Sequence, residues 1–347
     1  MKYFFSIVAV LTGVFLIVNP KSVSGAIGGA VNDCLGVIIP SLFAFTVLAV
    51  YLQRSGIYRV ALKPAVFLLS KILRMDEELC GVFLLANTGG YPVGANLLSE
   101  LVKSGRLLPE DGGKLLCCCF ASGPSFIIGI VGTEVFGSVK AGLALFGSCF
   151  LSNMVIAVIV RLFGKITLKE AEKGCTLSAE CFVGSVTAAA RVMFTVCTMI
   201  TAFSVINLIL NSVGIGELWN MTAGRAGVNG AAILPSLLEV TRIKGIVPAA
   251  GAMPLCAALL TMGGGCVLLQ IMAVGKGLPL KWFLLSRVPA AALSAGFARI
   301  AELFVKIDTE TLSGNMTAQP LSGNIVLSGS VLMMSAILLL ETKRKNE

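Results

Sequence analysis

The residues best suited to chemistry lie inside the apolar runs of this chain. Leu237-Leu238-Glu239-Val240-Thr241 sets a carboxylate and a hydroxyl in a hydrophobic stretch. An ionisable group there is costly and is a functional candidate by default. Such a carboxylate could couple transport to H⁺ or Na⁺ or orient a substrate, and the sequence leaves these roles open. Other apolar runs are interrupted at Asn87-Thr88-Gly89-Gly90-Tyr91-Pro92-Val93-Gly94-Ala95-Asn96, at Ser122-Gly123-Pro124-Ser125 and at Gly263-Gly264-Gly265, with Gln270 following the last. Proline removes a backbone donor and glycine weakens a helix interior, so these stretches predict broken or re-entrant helices. The new helix ends would offer unpaired N–H groups and a positive dipole to an anion. The expected substrate-binding set is Asn87, Thr88, Gly89, Gly90, Tyr91, Pro92, Gly94, Ser122, Gly123, Pro124, Ser125, Glu239, Thr241, Gly263, Gly264 and Gln270. Glu100, Arg191, Arg299 and Glu302 are weaker candidates, the last three explicable by pairing or snorkelling near an interface.

Composition removes most other chemistry. The chain has 347 residues, 56% hydrophobic and 13% charged, about half the charge of a soluble domain. Its mean hydropathy is +0.92. These values describe a polytopic α-helical membrane protein. Histidine is absent, which removes imidazole bases, Ser-His nucleophiles and His metal sites. The 11 cysteines include Cys117-Cys118-Cys119 but no CxxC pair, so they read as small apolar packing residues rather than as zinc ligands or a disulfide framework. No nucleotide loop or carboxylate cluster points to an enzyme, a cofactor or a metal. The net charge of +9 is spread between apolar runs, which fits topology and lipid contact and excludes a nucleic-acid face.

The elements that must position these residues follow from hydropathy. Residues 1–33 read as an uncleaved anchor helix and linker. Residues 34–165 form a first gate repeat: a span from Cys34 to Leu52 interrupted by Pro40, an amphipathic interfacial stretch Val60 to Leu73, the two breaks, and a clean span Gly142 to Phe163. Residues 166–180 belong to a basic loop, with Arg161, Lys165, Lys169 and Lys173 marking its cytoplasmic side. Residues 181–305 form a second gate repeat, with a long span Phe182 to Leu210, a broken region Ile233 to Ala273, and a span Trp282 to Phe304. Residues 306–347 supply an external loop, a last span Ile325 to Leu340 and the basic tail Lys343-Arg344-Lys345. Charge counting then makes the two broken regions cross in opposite senses, as in an inverted-topology repeat. The expected fold class is therefore an all-α polytopic membrane protein with an inverted repeat of two gate regions.

At these motifs the chain resembles the YlbJ-like sporulation integral membrane proteins, which carry the nucleoside-recognition or Gate domain. The matching residues are Gly90-Tyr91-Pro92-Val93-Gly94-Ala95, Ser122-Gly123-Pro124-Ser125-Phe126-Ile127 with Gly129 and Gly132, Leu238-Glu239-Val240-Thr241, and Gly263-Gly264 with Gln270. The resemblance runs from about Gly36 to Ala301. Two positions depart from the family pattern: Ala121 stands where an Asn is expected, and Arg242 where a Gly is expected. The resemblance implies transport of dipicolinic acid across the outer forespore membrane of an endospore former. Its partners would be a small anionic solute, the lipid bilayer and a coupling ion, H⁺ or Na⁺, with homo-oligomer formation left open. A nucleoside or nucleobase carrier and a non-transporting sporulation assembly factor are the alternatives.

Overall fold

The structure is a computed structural model that describes residues 2–164, 166–169, 178–217, 219, 232–247, 249 and 251–305. The acidic external loop, the last span and the basic tail lie outside the described residues, as do much of the basic loop after Arg161 and most of 218–231. Every regular element among the described residues is helical, and no strand occurs there. Among the described residues five helical stretches are long and apolar enough to cross a membrane, Ala252–Val274 being counted as one although Gly263 interrupts it, since about 20 apolar residues span the hydrocarbon core. The protein is an all-α polytopic membrane protein.

The first of these spans is α2 (Pro20–Ser55), which follows α1 (Lys2–Val18). Pro40 does not break it. A five-residue π segment, Cys34–Ile38, precedes the proline, and the helix continues to Ser55. An insertion of this kind absorbs the displaced hydrogen bonds that proline would otherwise leave open. The amphipathic stretch forms a single turn, Tyr58–Ala61, and α3 (Lys63–Leu73), which buries Val66, Leu69 and Leu73 and exposes Phe67, Leu68 and Ile72.

The first interrupted region is α4 (Glu77–Gly89) and α5 (Tyr91–Lys103), joined at Gly90 alone. Gly90 has φ 95° and ψ 168°, a conformation that is essentially restricted to glycine. Pro92 is then free to sit in the first turn of α5, where its missing donor is not needed. After α6 (Pro109–Leu115), residues 116–123 run as turns and extended chain until α7 (Pro124–Val135), which is wound as a π-helix from Ile127 onward. Two spans follow, α8 (Val139–Leu162) and α9 (Ala179–Ser212), each opened by a serine whose side chain accepts a backbone N–H.

The second interrupted region starts with α10 (Ile233–Leu238). Glu239 is extended, Val240–Gly245 is a 3₁₀ turn, and α11 (Ala252–Met262) and α12 (Gly264–Val274) meet at Gly263. The last described span is α13 (Lys281–Glu302). The long helices form a shell around the broken ones: α2 packs on α9, α8 packs on α7 and α13, α11 packs on α13, and α12 packs on α5 and α9. Their outward faces are apolar, with Leu162, Leu285 and Val288 exposed, as lipid contact requires.

The close approach of α5 to residues 117–123 depends on Gly94. A Cβ there would lie 1.9 Å from the carbonyl oxygen of Cys119, against backbone that cannot rotate away. Gly147 in α8 has nothing within 4 Å of the same atom. Gly94→Ala should therefore lower stability by about 1–3 kcal/mol, the usual cost of overpacking. Gly147→Ala should leave stability unchanged or raise it by up to about 1 kcal/mol through helix propensity. Thermal unfolding of the detergent-solubilised protein, read by size exclusion, separates the two; equal midpoints would refute the packing assignment.

Candidate functional site

The chain breaks converge. Gly90, Tyr91 and Pro92 from the first, Ser122 and Gly123 from the second, and Glu239, Val240 and Thr241 from the third line one buried pocket, with Val267 and Gln270 of α12 on its side. Ile38 and Leu42 of α2 and Val196 and Ile200 of α9 close it. Leu42 is packed closest to the break: a Cβ built at Gly123 would meet its Cδ2 at 3.2 Å, and one at Gly90 at 3.4 Å. The space that water could fill is about 30 Å³, room for about two water molecules and far too little for a metabolite. The conformation described is closed around its junction.

Glu239 is 1% exposed and caps the 3₁₀ turn. Its Oε1 accepts the Thr241 N–H at 2.9 Å and its Oε2 accepts the Thr241 hydroxyl. Its extended backbone breaks the helix and places the carboxylate among the breaks of the first half. The nearest cation is Arg242, whose Nε lies 3.8 Å from Oε2 with the side chain 41% exposed. Among the described residues no basic side chain lines the junction itself. Gln270 is buried and donates to the Cys266 sulfur at 3.3 Å.

Tyr91 is held from the other half of the chain: its hydroxyl donates to the Leu260 carbonyl at 2.6 Å. Its ring packs on Phe120, centroids 4.8 Å apart, and Phe120 packs on Phe283 at 4.9 Å. Between these last two rings sits the guanidinium of Arg287, 4.7 Å from one centroid and 4.5 Å from the other. Arg287 is 5% exposed. It donates to the Thr261 carbonyl at 3.3 Å, to the Phe283 carbonyl at 3.4 Å and to the Cys117 carbonyl. Among the described residues no carboxylate pairs with it. A second polar cluster holds the same stretch from α4 and α8: Asn87 donates to the Phe83 carbonyl at 2.8 Å and the Cys118 carbonyl at 3.2 Å, and Asn153 donates to Asn87 Oδ1 at 2.7 Å and the Phe120 carbonyl at 2.9 Å.

Of the expected binding residues, Gly90, Tyr91, Pro92, Ser122, Gly123, Glu239, Thr241 and Gln270 stand together at the junction. Asn87 lies behind it as part of the carbonyl-holding network, and the Thr88 hydroxyl turns back to the Leu84 carbonyl at 2.9 Å. Gly89, Gly94, Pro124 and Ser125 shape the breaks from outside the pocket lining. Gly263 seats Phe120, whose Cζ would lie 2.4 Å from a Cβ there, and Gly264 lines a separate cleft with Phe120, Phe283 and Arg287. Among the weaker candidates, Glu100 pairs with Arg54 at 2.7 Å, Arg299 pairs with Glu302, and Arg191 is exposed.

Sequence reading passed over Arg287, Asn153 and Leu42. An arginine inside Leu284-Leu285-Ser286-Arg287-Val288 was the available signal for the first, because a cation in an apolar span demands an explanation. Asn153 in Leu151-Ser152-Asn153-Met154 gave a fainter one.

Comparisons with protein-family models, with curated proteins and with solved structures give no match.

Replacing Arg287 by Leu leaves the Cys117 and Thr261 carbonyls without their donor. An orphaned buried acceptor costs about 1–3 kcal/mol, so Arg287→Leu should destabilise by about 2–5 kcal/mol and Arg287→Lys by less. Thermal unfolding in detergent measures it, and a leucine variant as stable as wild type would show that these bonds contribute nothing.

Proposed function

We propose that this protein is a membrane carrier for a small anionic metabolite, dipicolinic acid, acting at the outer forespore membrane of an endospore former. The observation that carries the carrier reading is the meeting of chain breaks from both halves around Glu239 in a closed pocket. Irregular backbone at membrane depth is tolerated where it is buried in protein or lines a wet cavity, and secondary transporters bind substrate where discontinuous helices meet. The resemblance of the Gly-Tyr-Pro-Val-Gly-Ala and Ser-Gly-Pro-Ser motifs to YlbJ-like proteins supports the choice of substrate.

In this reading the chain is an inverted repeat. The Gly90 and Ser122 breaks lie between α2 and α8, and the Glu239 and Gly263 breaks lie between α9 and α13. Positive charge near Arg54, Arg74 and Arg161 puts that face in the cytoplasm. The pocket opens alternately to either side as α2 withdraws Leu42. The junction holds a carboxylate and no base, so an anion enters only when Glu239 is neutralised. That makes a coupling ion, H⁺ in the first instance, part of the cycle.

A second reading is favoured by one observation. Gln270, Thr241 and Tyr91 around Glu239 offer neutral hydrogen bonding and a ring face, which suits a nucleoside or nucleobase.

Purified protein in vesicles should take up labelled dipicolinate faster than protein-free vesicles, and Glu239→Gln should reduce net uptake and abolish its dependence on an imposed pH gradient, because the neutral amide admits the anion but cannot cycle a proton. Uptake of labelled uridine without dipicolinate would select the second reading. Uptake of neither would leave the protein a membrane component without flux. Reporters fused in the loop after Arg161 and after Leu340 should lie on the same side; opposite sides would break the inverted repeat.

A further inference from the structure

A second cavity, of about 490 Å³, opens beside the junction between α2, α9 and the 3₁₀ turn. It falls within the size range of about 300–1,000 Å³ usual for small-molecule sites. Unlike the junction it carries a cation: Arg242 lines it, together with Ser204, Asn207 and Asn211 of α9 and Ala26 of α2. Two features show unspent binding capacity. Asn207 is 7% exposed, and its Nδ2 is buried without a hydrogen-bond partner among the described residues, although buried donors are nearly always satisfied. Arg242 has only the 3.8 Å approach to Glu239, beyond hydrogen-bond length, so most of its donors remain available.

We propose that this cavity is an anion-binding antechamber in which Arg242 and Asn207 capture a carboxylate on its way to the junction. A guanidinium is a donor only, and the Asn207 amide, unsatisfied where it sits, gains a partner by turning its NH₂ from its buried position onto a carboxylate oxygen in the cavity. The chemistry selects small mono- and dicarboxylates and rejects their amides. It also couples the two cavities: a bound carboxylate competes with Glu239 for Arg242, whose Nε stands 3.8 Å from the Glu239 carboxylate.

This inference rests on the carrier reading for its direction of travel, yet the two can fail separately. Full-length protein in nanodiscs is titrated calorimetrically with dipicolinate, phthalate and citrate, and with the uncharged diamide of dipicolinate. At least one carboxylate should bind and the diamide should not. Arg242→Gln and Asn207→Asp should each weaken binding by about tenfold to a hundredfold, the worth of one hydrogen bond to a charged group. Asn207→Leu should weaken it less, and Arg242→Lys should restore part of it. Glu239→Gln should bind as tightly as wild type or tighter, because a competitor for Arg242 is gone, even where it reduces uptake. Carboxylate binding unchanged in Arg242→Gln and Asn207→Asp overturns the antechamber, as does wild type that binds none of the three acids at millimolar concentration. Binding with the expected variant pattern but no uptake by wild-type vesicles upholds the antechamber and removes the carrier reading instead.

Discussion

The structure depends on one constraint: backbone carbonyls freed where helices break must find donors where water is scarce. Residues 116–123 run without regular helix through the middle of the protein. Their carbonyls are met by side chains from both halves: Arg287 at Cys117, Asn87 at Cys118 and Asn153 at Phe120. The end of α11 is treated the same way, with Tyr91 donating to Leu260 and Arg287 to Thr261. Each bond is worth about 1 kcal/mol net, and each would cost more if orphaned. Arg287 is central because its guanidinium reaches the interrupted chain of both halves at once. It is desolvated with no counter-charge among the described residues, and the faces of Phe120 and Phe283 take part of that role.

This clamp divides the molecule into a stiff part and a looser one. Around residues 116–123 the hydrogen bonds are short and buried, and Gly94 and Gly263 let backbone and ring approach to contact. Around the 3₁₀ turn the polar contacts are long: Arg242 to Glu239 is 3.8 Å, and Lys244 stands 3.8 Å from Asp33 and 3.6 Å from Glu134. The two Lys244 pairs are partly exposed and contribute little to stability, and the Arg242 approach to buried Glu239 is beyond hydrogen-bond length. They therefore cost little to break. On the carrier reading proposed above, the side of the junction formed by α2 and the 3₁₀ turn, to which the Leu42 contact belongs, is the side that would open.

How much of this was legible in the sequence follows from how local each cause is. The breaks at Gly90, at Ser122 to Pro124 and at Gly263 could be read directly, because glycine and proline act through their own backbone. Glu239 could be read because a carboxylate among leucines has few explanations. The role of Arg287 could not: its partners Cys117 and Thr261 lie 170 and 26 residues away, and near the start of a span it passes for a snorkelling residue. Leu42 was invisible, as a leucine in an apolar helix says nothing of the glycines it covers. Pro40 misled in the other direction. It reads as an interruption, but the π segment before it lets the helix run on. In the Gly263 triplet the sequence shows a break but not its neighbour: the first glycine makes room for Phe120.

The electrostatics of the junction also bear on the choice of coupling ion. Both carboxylate oxygens of Glu239 accept hydrogen bonds from Thr241, and the lining brings no second carboxylate. A Na⁺ ion would have to gather several oxygens around it, displacing the Thr241 hydroxyl and recruiting carbonyls that the clamp already uses. A proton asks for less. It adds to one oxygen of Glu239, leaves the backbone bond to the other intact, and needs only a rotation of the Thr241 hydroxyl. Burial already penalises the charged carboxylate, so the approach of a second negative charge works in the same direction. On the carrier reading proposed above, this geometry suits a proton better than Na⁺, which would need several oxygens around it.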